Sequence, residues 1–549
     1  MNKLLLLLTF AFSIPAWAQT SSSMPMPVSF TSSDLPIIVI TTAQSIVDDP
    51  KIEAKMGIID NGPGQRNALT DPFNNYNGNI GIELRGSSSQ MFPKKSYGFE
   101  THSASGADVD VSLLGMPAGS DWILSAGFPD KSLMRNVLMY NIARESGNYA
   151  SRTRYCEVVL NGTYEGIYVF MEKLKRGTDR INVSKLKSSD KTGDAVTGGY
   201  ILKLDKTTGT TNASWNSQYT NPTPNNFKSQ FLVEYPKLED INSQQLNYIK
   251  AYVDSFETAL NTKKYADLHD GYRHFINTKS FIDYFLLTEL SRNPDGYFYS
   301  TYFYKERTSK GGKLTMGPMW DYDVAWANAD YCQSDSVAGW VYNNLRCGAP
   351  KIPFWWKSFL EDPTFTSELR ARWVELRGTA LSEQHLTEQI DANATLLAES
   401  RVRNFTAWPI LGTYVWPNAA VLATYPEEIA YLKRWIHNRL EWMDGALTQQ
   451  TSAVMSNKLS TDLTTATAFP IPFSNSLTVT YSLKSASAVS VVLVDALGRQ
   501  VSKQSLPQQP IGSHSVSIEG CEKLVPGAYY VQLISNSGCR TVRVLRTES

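Results

Sequence analysis

Three aspartates carry the chemistry that this sequence is best equipped to perform. Asp295 stands in Asn293-Pro-Asp295, directly after an apolar helical run. Asp321 and Asp323 flank a tyrosine in Gly317-Pro-Met-Trp-Asp-Tyr-Asp323, at the end of an apolar strand-like segment. Carboxylate oxygens suit Mg²⁺, and Mg²⁺ in turn suits phosphates. A carboxylate left free of metal is able to accept a hydroxyl proton. Acids in turns ordinarily cap helices or face solvent. These three lie between aromatic, otherwise apolar segments, so the residues alone leave both readings open.

Basic groups that would meet a phosphate lie upstream. In Arg85-Gly-Ser-Ser-Ser-Gln-Met-Phe-Pro-Lys94-Lys95-Ser-Tyr97 a strand runs into a small-residue turn, and a second strand opens with paired lysines. Such a turn exposes backbone N–H groups, and lysines behind it can reach phosphate oxygens. It is no Walker A loop, because GxxxxGK[ST] is absent; taken alone, a hairpin with a solvated basic start is the simpler reading. In Asp130-Lys-Ser-Leu-Met-Arg135-Asn136 the acid stands where a helix start needs an acceptor, so capping is expected of Asp130. Arg135 or Asn136, one turn in, could face a cleft. Asn161-Gly162 between β-like runs predicts a hairpin turn. Glu172-Lys173 at the end of the second strand reads either as a surface ion pair, worth little, or as a charged pair beside a nucleotide site.

The elements that must position these residues follow from periodicity. From Leu35 to about Lys206 short β-like runs dominate, among them Leu35–Ile40, Ile80–Leu84, Cys156–Leu160, Gly166–Phe170 and Tyr200–Leu204. One helix, Ser132–Ala143, interrupts them, with Leu133, Val137, Leu138 and Ile142 at helical spacing. From about Leu238 helices take over, with apolar faces at Phe281, Ile282, Phe285, Leu286 and Leu290 and at Ile429, Leu432, Ile436, Leu440 and Met443. A sheet-rich part before a helix-rich part predicts two lobes with a cleft between them, where ligands tend to bind.

Both ends differ from this middle. Met1-Asn-Lys, the apolar run Leu4–Phe12 and Ala16-Trp-Ala18 read as a secretory signal peptide cut after Ala18. Neither that run nor any later one is long enough to span a bilayer, so a soluble mature protein with no membrane span is expected. Thr448 to about Thr467 is Ser/Thr/Ala/Gln-rich and reads as a linker. Beyond it, Leu477–Tyr481, Val489–Val494, His514–Ile518, Tyr529–Leu533 and Thr541–Leu545 alternate with period two, predicting a small β-sandwich. Over 549 residues, 52 Lys plus Arg balance 52 Asp plus Glu, so no global field favours nucleic acid or an anionic membrane. The six histidines are scattered without HExxH, which counts against a zinc hydrolase. Export permits disulfides: Cys332–Cys347 could close a surface loop and Cys521–Cys539 could bridge neighbouring strands, leaving Cys156 as a buried thiol.

Two resemblances emerge from these motifs. Pro472-Phe473, Asp495-Ala-Leu-Gly-Arg499, Leu524-Val-Pro-Gly-Ala-Tyr529 and Val542-Arg-Val-Leu545 resemble the C-terminal sorting domain of type IX secretion substrates in Bacteroidota. That likeness implies handling by the type IX machinery, passage across the outer membrane, and release or surface attachment. Arg85-Gly-Ser-Ser-Ser with Phe92-Pro-Lys-Lys-Ser-Tyr97, Asp121-Trp-Ile-Leu with Arg135-Asn136, Asn161-Gly-Thr-Tyr-Glu-Gly-Ile-Tyr168 with Glu172-Lys173, Asn293-Pro-Asp295 and Gly317–Asp323 resemble, in their order, the CotH kinase family.

The second resemblance implies an α+β fold with a two-lobed, kinase-like core (sheet-rich N-lobe, helix-rich C-lobe) before the β-sandwich. Residues 1–18 would be the signal peptide, 19–206 the sheet-rich lobe, 207–447 the helix-rich lobe, 448–467 the linker and 468–549 the sorting domain. It implies ATP-dependent phosphorylation of Ser or Thr in a secreted protein substrate, with Mg²⁺ (or Mn²⁺). Asp295 matches the catalytic aspartate and Asp321 the metal-binding one; Asp323 would be a second ligand or an acid behind it. Lys95 and Lys94 are the first choices for the phosphate lysine and Lys173 the rival, while Arg85 would help with phosphate or hold the turn. One position departs from the pattern. Kinase loops place an Asn five residues beyond the catalytic Asp to hold a second metal; here that position is Ser300, with Asn328 as a substitute. A catalytically weak or inactive surface binding module, favoured by 28 tyrosines of a type enriched at interfaces, is the alternative. A hydrolase using Asp295 with Asp321 or Asp323 is a third reading.

Overall fold

The computed structural model describes residues 24–207, 212–221, 227–265, 267, 269–343, 352–456, 463–495, 500–535 and 538–547. The expected signal peptide and Cys347 lie outside them.

Alternating apolar residues in the first part of the chain build a sheet that closes on itself. Strands β2 (Ile37–Thr41), β3 (Ile52–Ile59), β5 (Tyr76–Arg85), β6 (Ser96–His102), β7 (Asp121–Ser125), β8 (Thr153–Leu160) and β9 (Thr163–Glu172) form a barrel in the order β2-β3-β5-β6-β7-β9-β8. The β2–β8 pair, parallel from Ile37 opposite Glu157 to Ile40 opposite Leu160, closes the ring. A separate two-residue ladder joins β1 (Ser32–Ser33) to β4 (Asn67–Ala68). Residues two apart share a strand face, and Ile38 with Ile40, Met56 with Ile58, Ile80 with Ile82, Trp122 with Leu124 and Tyr168 with Phe170 fill one buried cluster. The barrel is therefore packed with side chains rather than hollow. The opposite face of β9, Ile167 and Val169, packs with Leu133 and Val137, which seats α1 (Arg135–Glu145) on the barrel wall. That helix starts three residues later than its periodicity predicts, because Asp130 to Ser132 form a turn before it.

A second sheet follows, of β10 (Tyr200–Leu204), β11 (Ser214–Asn216), β12 (Gln230–Tyr235), β13 (Thr301–Lys305) and β14 (Leu314–Met316), in the order β11-β12-β10-β13-β14. It straddles the boundary expected at residue 206, since β10 pairs with β12 on one side and β13 on the other. Local patterning marks Tyr200–Leu204 as a strand but not its partners, one of which starts at Gln230 and the other at Thr301. Around this sheet come α2 (Ser243–Asn261), α3 (Thr278–Ser291), α4 (Trp355–Glu361), α5 (Pro363–Arg377), α6 (Glu383–Leu396), α7 (Ser400–Ala407) and α8 (Tyr425–Ser456). Every residue of α3 from Ser280 to Ser291 is buried, as expected for a helix that is apolar on most of its surface. Residues up to Leu440 belong to one compact unit of mixed α/β structure.

The second unit, from Glu441, contains a β-sandwich. One sheet has β15 (Leu463–Phe469), β16 (Leu477–Leu483) and β19 (Gly512–Ile518); the other has β17 (Ser487–Asp495), β18 (Gln500–Gln509), β20 (Gly527–Ser535) and β21 (Gly538–Arg546). Val479, Tyr481, Val491, Leu493, Val531 and Leu533 supply its core from both sheets. The stretch expected as a linker is shorter than predicted, because α8 runs on to Ser456 and β15 starts at Leu463. Cys156 is the buried thiol anticipated, but Cys521 is also a buried free thiol, which rules out its expected bridge to Cys539. The reason is placement: Cys521 sits in a 3₁₀ turn, whereas Cys539 lies on β21 opposite Ile534. Cys332 is disulfide-bonded. No helix among the described residues is long and apolar enough to cross a membrane.

Candidate active site

Asp295 owes its place to the end of α3. The helix stops at Arg292, whose backbone turns left-handed at φ 48°. Its buried guanidinium donates to the carbonyls of Gln333, Ala338 and Gly339 and fixes the exit. Next comes Asn293, whose Oδ1 accepts the Asp295 N–H at 3.1 Å while its Nδ2 donates to the Asp321 carbonyl at 3.0 Å. One buried amide thus ties together two acids 26 positions apart in the sequence.

The Asp321–Asp323 loop leaves β14 through Gly317, at φ 104°, whose N–H returns to the Tyr302 carbonyl at 2.8 Å. Helix α1 holds the loop from one side: Tyr322 N–H donates to Asn136 Oδ1 at 2.6 Å, and Asp321 N–H donates to Tyr140 Oη at 3.4 Å. Helix α3 holds it from another, through Thr288 and Tyr322 hydroxyls 2.9 Å apart. Ser300, left-handed at φ 49°, donates its hydroxyl to Asp321 Oδ2 at 2.6 Å, and its N–H to Asp205 Oδ1 at 3.4 Å. A fourth carboxylate, at the end of β10, therefore joins the group.

These acids perturb one another. Asp321 is exposed yet surrounded by protein, so it lies on the floor of an open recess. Lost hydration raises its carboxyl above the ordinary range; Ser300 and Arg85 oppose that shift and Asp205 adds to it. Asp323 is pushed up to about 7, first by desolvation, then by the charges of Asp321, Asp130 and Asp295. Like charges withdrawn from water are what a bound divalent cation relieves. These carboxylates offer hard oxygen donors of the kind Mg²⁺ or Mn²⁺ takes; among the described residues, three ligand atoms within 4.8 Å of one another occur at Glu100, His102 and Asp108 instead.

The positive groups divide differently from the sequence expectation. The Arg85 guanidinium lies 5.4 Å from the centroid of the Trp320 ring and acts on Asp321. Lys173, with its ammonium 3.8 Å from Asp121, has Lys51, Glu83 and Arg85 as charged neighbours, and desolvation lowers its basicity. Lys94 and Lys95, the first choices for phosphate, serve the barrel instead. Lys94 is buried, donates to the Ile167 carbonyl and to Asn404 Oδ1, lies 4.7 Å from the Tyr168 ring centroid, and is lowered to about 7 by burial. Lys95 closes the Gly/Ser turn by donating to the Gln90 carbonyl at 2.6 Å. Both lysines lie just before β6, which starts at Ser96, and their ammonium groups are taken up by these local acceptors.

Other expectations resolve similarly. Asp130 is not the N-cap residue of α1, which is Met134; from the turn before it, Asp130 accepts Arg135 N–H at 2.8 Å and pairs with the Arg135 guanidinium in a buried contact of 2.5 Å. Glu172 is not at the surface: it is fully buried and takes the Arg152 guanidinium at 2.9 Å. Asn328, the substitute second-metal residue, is committed to structure. Its Nδ2 donates to the Asp323 and Pro129 carbonyls, and its Oδ1 accepts from Asn418. Sequence reading missed Asp205 and Lys206. Lys206 donates to Ser88 Oγ at 2.8 Å and acts on Asp321, so it spans from the second sheet to the Gly/Ser turn. The only available signal was an Asp-Lys pair closing an apolar strand, a pattern common at strand ends. Beside Asp323 a small cavity of about 20 Å³, water-sized, lies between β9 and α1, lined by Leu133, Val137, Ile167, Val169 and Met171.

Comparison with known proteins gives two family matches. The model described as CotH kinase protein matches residues 82–443, and that of the secretion system C-terminal sorting domain matches residues 467–545. Among curated proteins, the inner spore coat protein H of Bacillus subtilis (strain 168) is 23% identical over 247 residues, which are 45% of this chain. The match spans 59% of that relative's length.

Proposed function

This chain belongs to the CotH kinase family, and from that premise we propose that it transfers the γ-phosphoryl group of ATP to a Ser or Thr hydroxyl of a protein. The core then reads as two kinase-like lobes, the barrel with α1 against the second sheet with its helices. Asp321 and Asp323 would hold Mg²⁺ or Mn²⁺, with Asp205 beside them; the ion would supply neutralisation of the phosphate charge. Asp295 accepts the proton of the acceptor hydroxyl as it attacks. Arg85 and Lys173 meet phosphate oxygens. Phosphoryl transfer asks mainly for positioning and charge stabilisation; the hydrogen bonds of Asn293 and Asn136 support the first, and Arg85 and Lys173 would contribute to the second. The observation that carries the reading is the Asn293 amide, which accepts from Asp295 and donates to Asp321. Full-length protein with Mg²⁺ and labelled ATP should label itself or an added protein, and Asp295→Ala should lose at least ~100-fold, the usual contribution of a positioned base. Absence of labelling together with absence of an ATP-dependent melting shift would overturn the proposal.

The sorting domain supports delivery to the outside of the cell, by secretion or surface attachment. A second reading, a nucleotide-binding or adhesive module with weak catalysis, is favoured by Ser300 in the second-metal position, its hydroxyl already given to Asp321. Nucleotide binding without any transfer to protein would select it.

A further inference from the structure

We infer that Tyr331 is a positioning residue for Asp295. This rests on the kinase reading and adds to it a group outside the recognised motifs. A proton-accepting carboxylate works only if its oxygens are held where the acceptor hydroxyl arrives, and such bases are usually oriented by a third group. The Tyr331 hydroxyl donates to Asp295 Oδ2 at 3.2 Å. Contacts of this kind are often long before substrate binds and tighten in the complex.

Tyr331 is itself held on three sides. Its ring lies parallel to that of Trp416, at 5° and a centroid distance of 6.2 Å. The neighbouring backbone is laced to the segment that carries Trp416: Asp330 N–H donates to the Pro417 carbonyl at 2.7 Å, Ala419 N–H donates to the Asn328 carbonyl at 2.8 Å, and Ala329 bridges Asn418. Tyr414 adds a hydroxyl contact to Asp330 Oδ2 at 2.7 Å. The next residue, Cys332, is disulfide-bonded. A phenol fixed by stacking, by a paired backbone and by a crosslink is well suited to orient a carboxylate, since little ordering remains to be done when substrate binds. Trp416 is 43% exposed, so the same stack forms an open wall beside Asp295 on which an acceptor segment can lie.

The test uses the full chain and compares Tyr331→Phe, which keeps the ring and the stack, with Trp416→Ala, which removes the support. Tyr331→Phe should lower kcat by about tenfold, the equivalent of one positioning hydrogen bond, with KM for ATP and the Mg²⁺-ATP melting shift unchanged. Trp416→Ala should lower kcat in the same direction, and adding it to Tyr331→Phe should give less than the product of the two losses. A wild-type kcat in Tyr331→Phe, or a loss that appears in KM for ATP instead, sinks this inference while leaving the kinase reading intact. Wild-type protein that transfers nothing removes both.

Discussion

Asp323 shows what the site asks of its ligand. Its carboxyl, ordinarily ionising near 3.8, is pushed up to about 7 by burial and by its acidic neighbours. The folded state therefore binds this proton more tightly than the unfolded chain. Stability is fully present below the unfolded value and declines as pH rises through the folded one. Asp321, shifted in the same direction, adds to the effect. Metal-free protein should thus melt lower at roughly pH 8 than at roughly pH 5 by way of this group, and Asp323→Asn should flatten the difference. Protons and a cation compete for the same oxygens, so the melting shift produced by Mg²⁺ should grow from roughly pH 6 to pH 8. A Mg²⁺ response of constant size across that range, measured by calorimetry, would contradict the assignment. Ser300 belongs to this scale as well. Sequence comparison with kinase loops marks it as a poor metal ligand, and in the structure it is a brace between Asp321 and Asp205.

At the scale of elements, α1 sets the loop. Asn136 accepts the Tyr322 N–H between Asp321 and Asp323, so Asn136→Ala strands a backbone donor, at a cost of about 1–3 kcal/mol. Both the melting temperature and the apparent Mg²⁺ affinity should fall; if only the melting temperature fell, the helix would be shown to support the fold without governing the site. Lys94 and Arg85 separate the same way. Lys94→Met removes a buried donor to the Ile167 carbonyl and should change melting while leaving labelling intact. Arg85→Met should raise KM for ATP about tenfold, one lost charged contact, with little effect on melting. The β5–β6 hairpin was legible as a hairpin from its Gly/Ser turn. Which of its basic residues turns towards the aspartates was not, because a strand's two faces are distinguished only by what packs on each.

The whole molecule divides into two units, residues up to Leu440 and from Glu441, and the family matches divide at nearly the same place. Each has its own hydrophobic core, so their losses should be separable. A chain ending at Ser456 should no longer reach the cell surface yet should keep ATP-dependent labelling, checked by cell fractionation and by labelling of the purified protein. Loss of labelling in that chain would mean that the sandwich is needed for the core to fold.

The amino-acid sequence by itself determined the inventory: strands from period-two patterning, helices from apolar spacing, the aspartates from their motifs, and the sandwich at the end. Those are local properties, written into a dozen neighbouring residues at a time. Closure of the barrel, the insertion of β10 between β12 and β13, the removal of Lys94 and Lys95 from the site, and the arrival of Asp205, Lys206 and Tyr331 were decided only by tertiary structure. Each depends on segments distant in the chain competing to cover one another's apolar surface and satisfy one another's hydrogen bonds, and no local spacing records the winner of that competition.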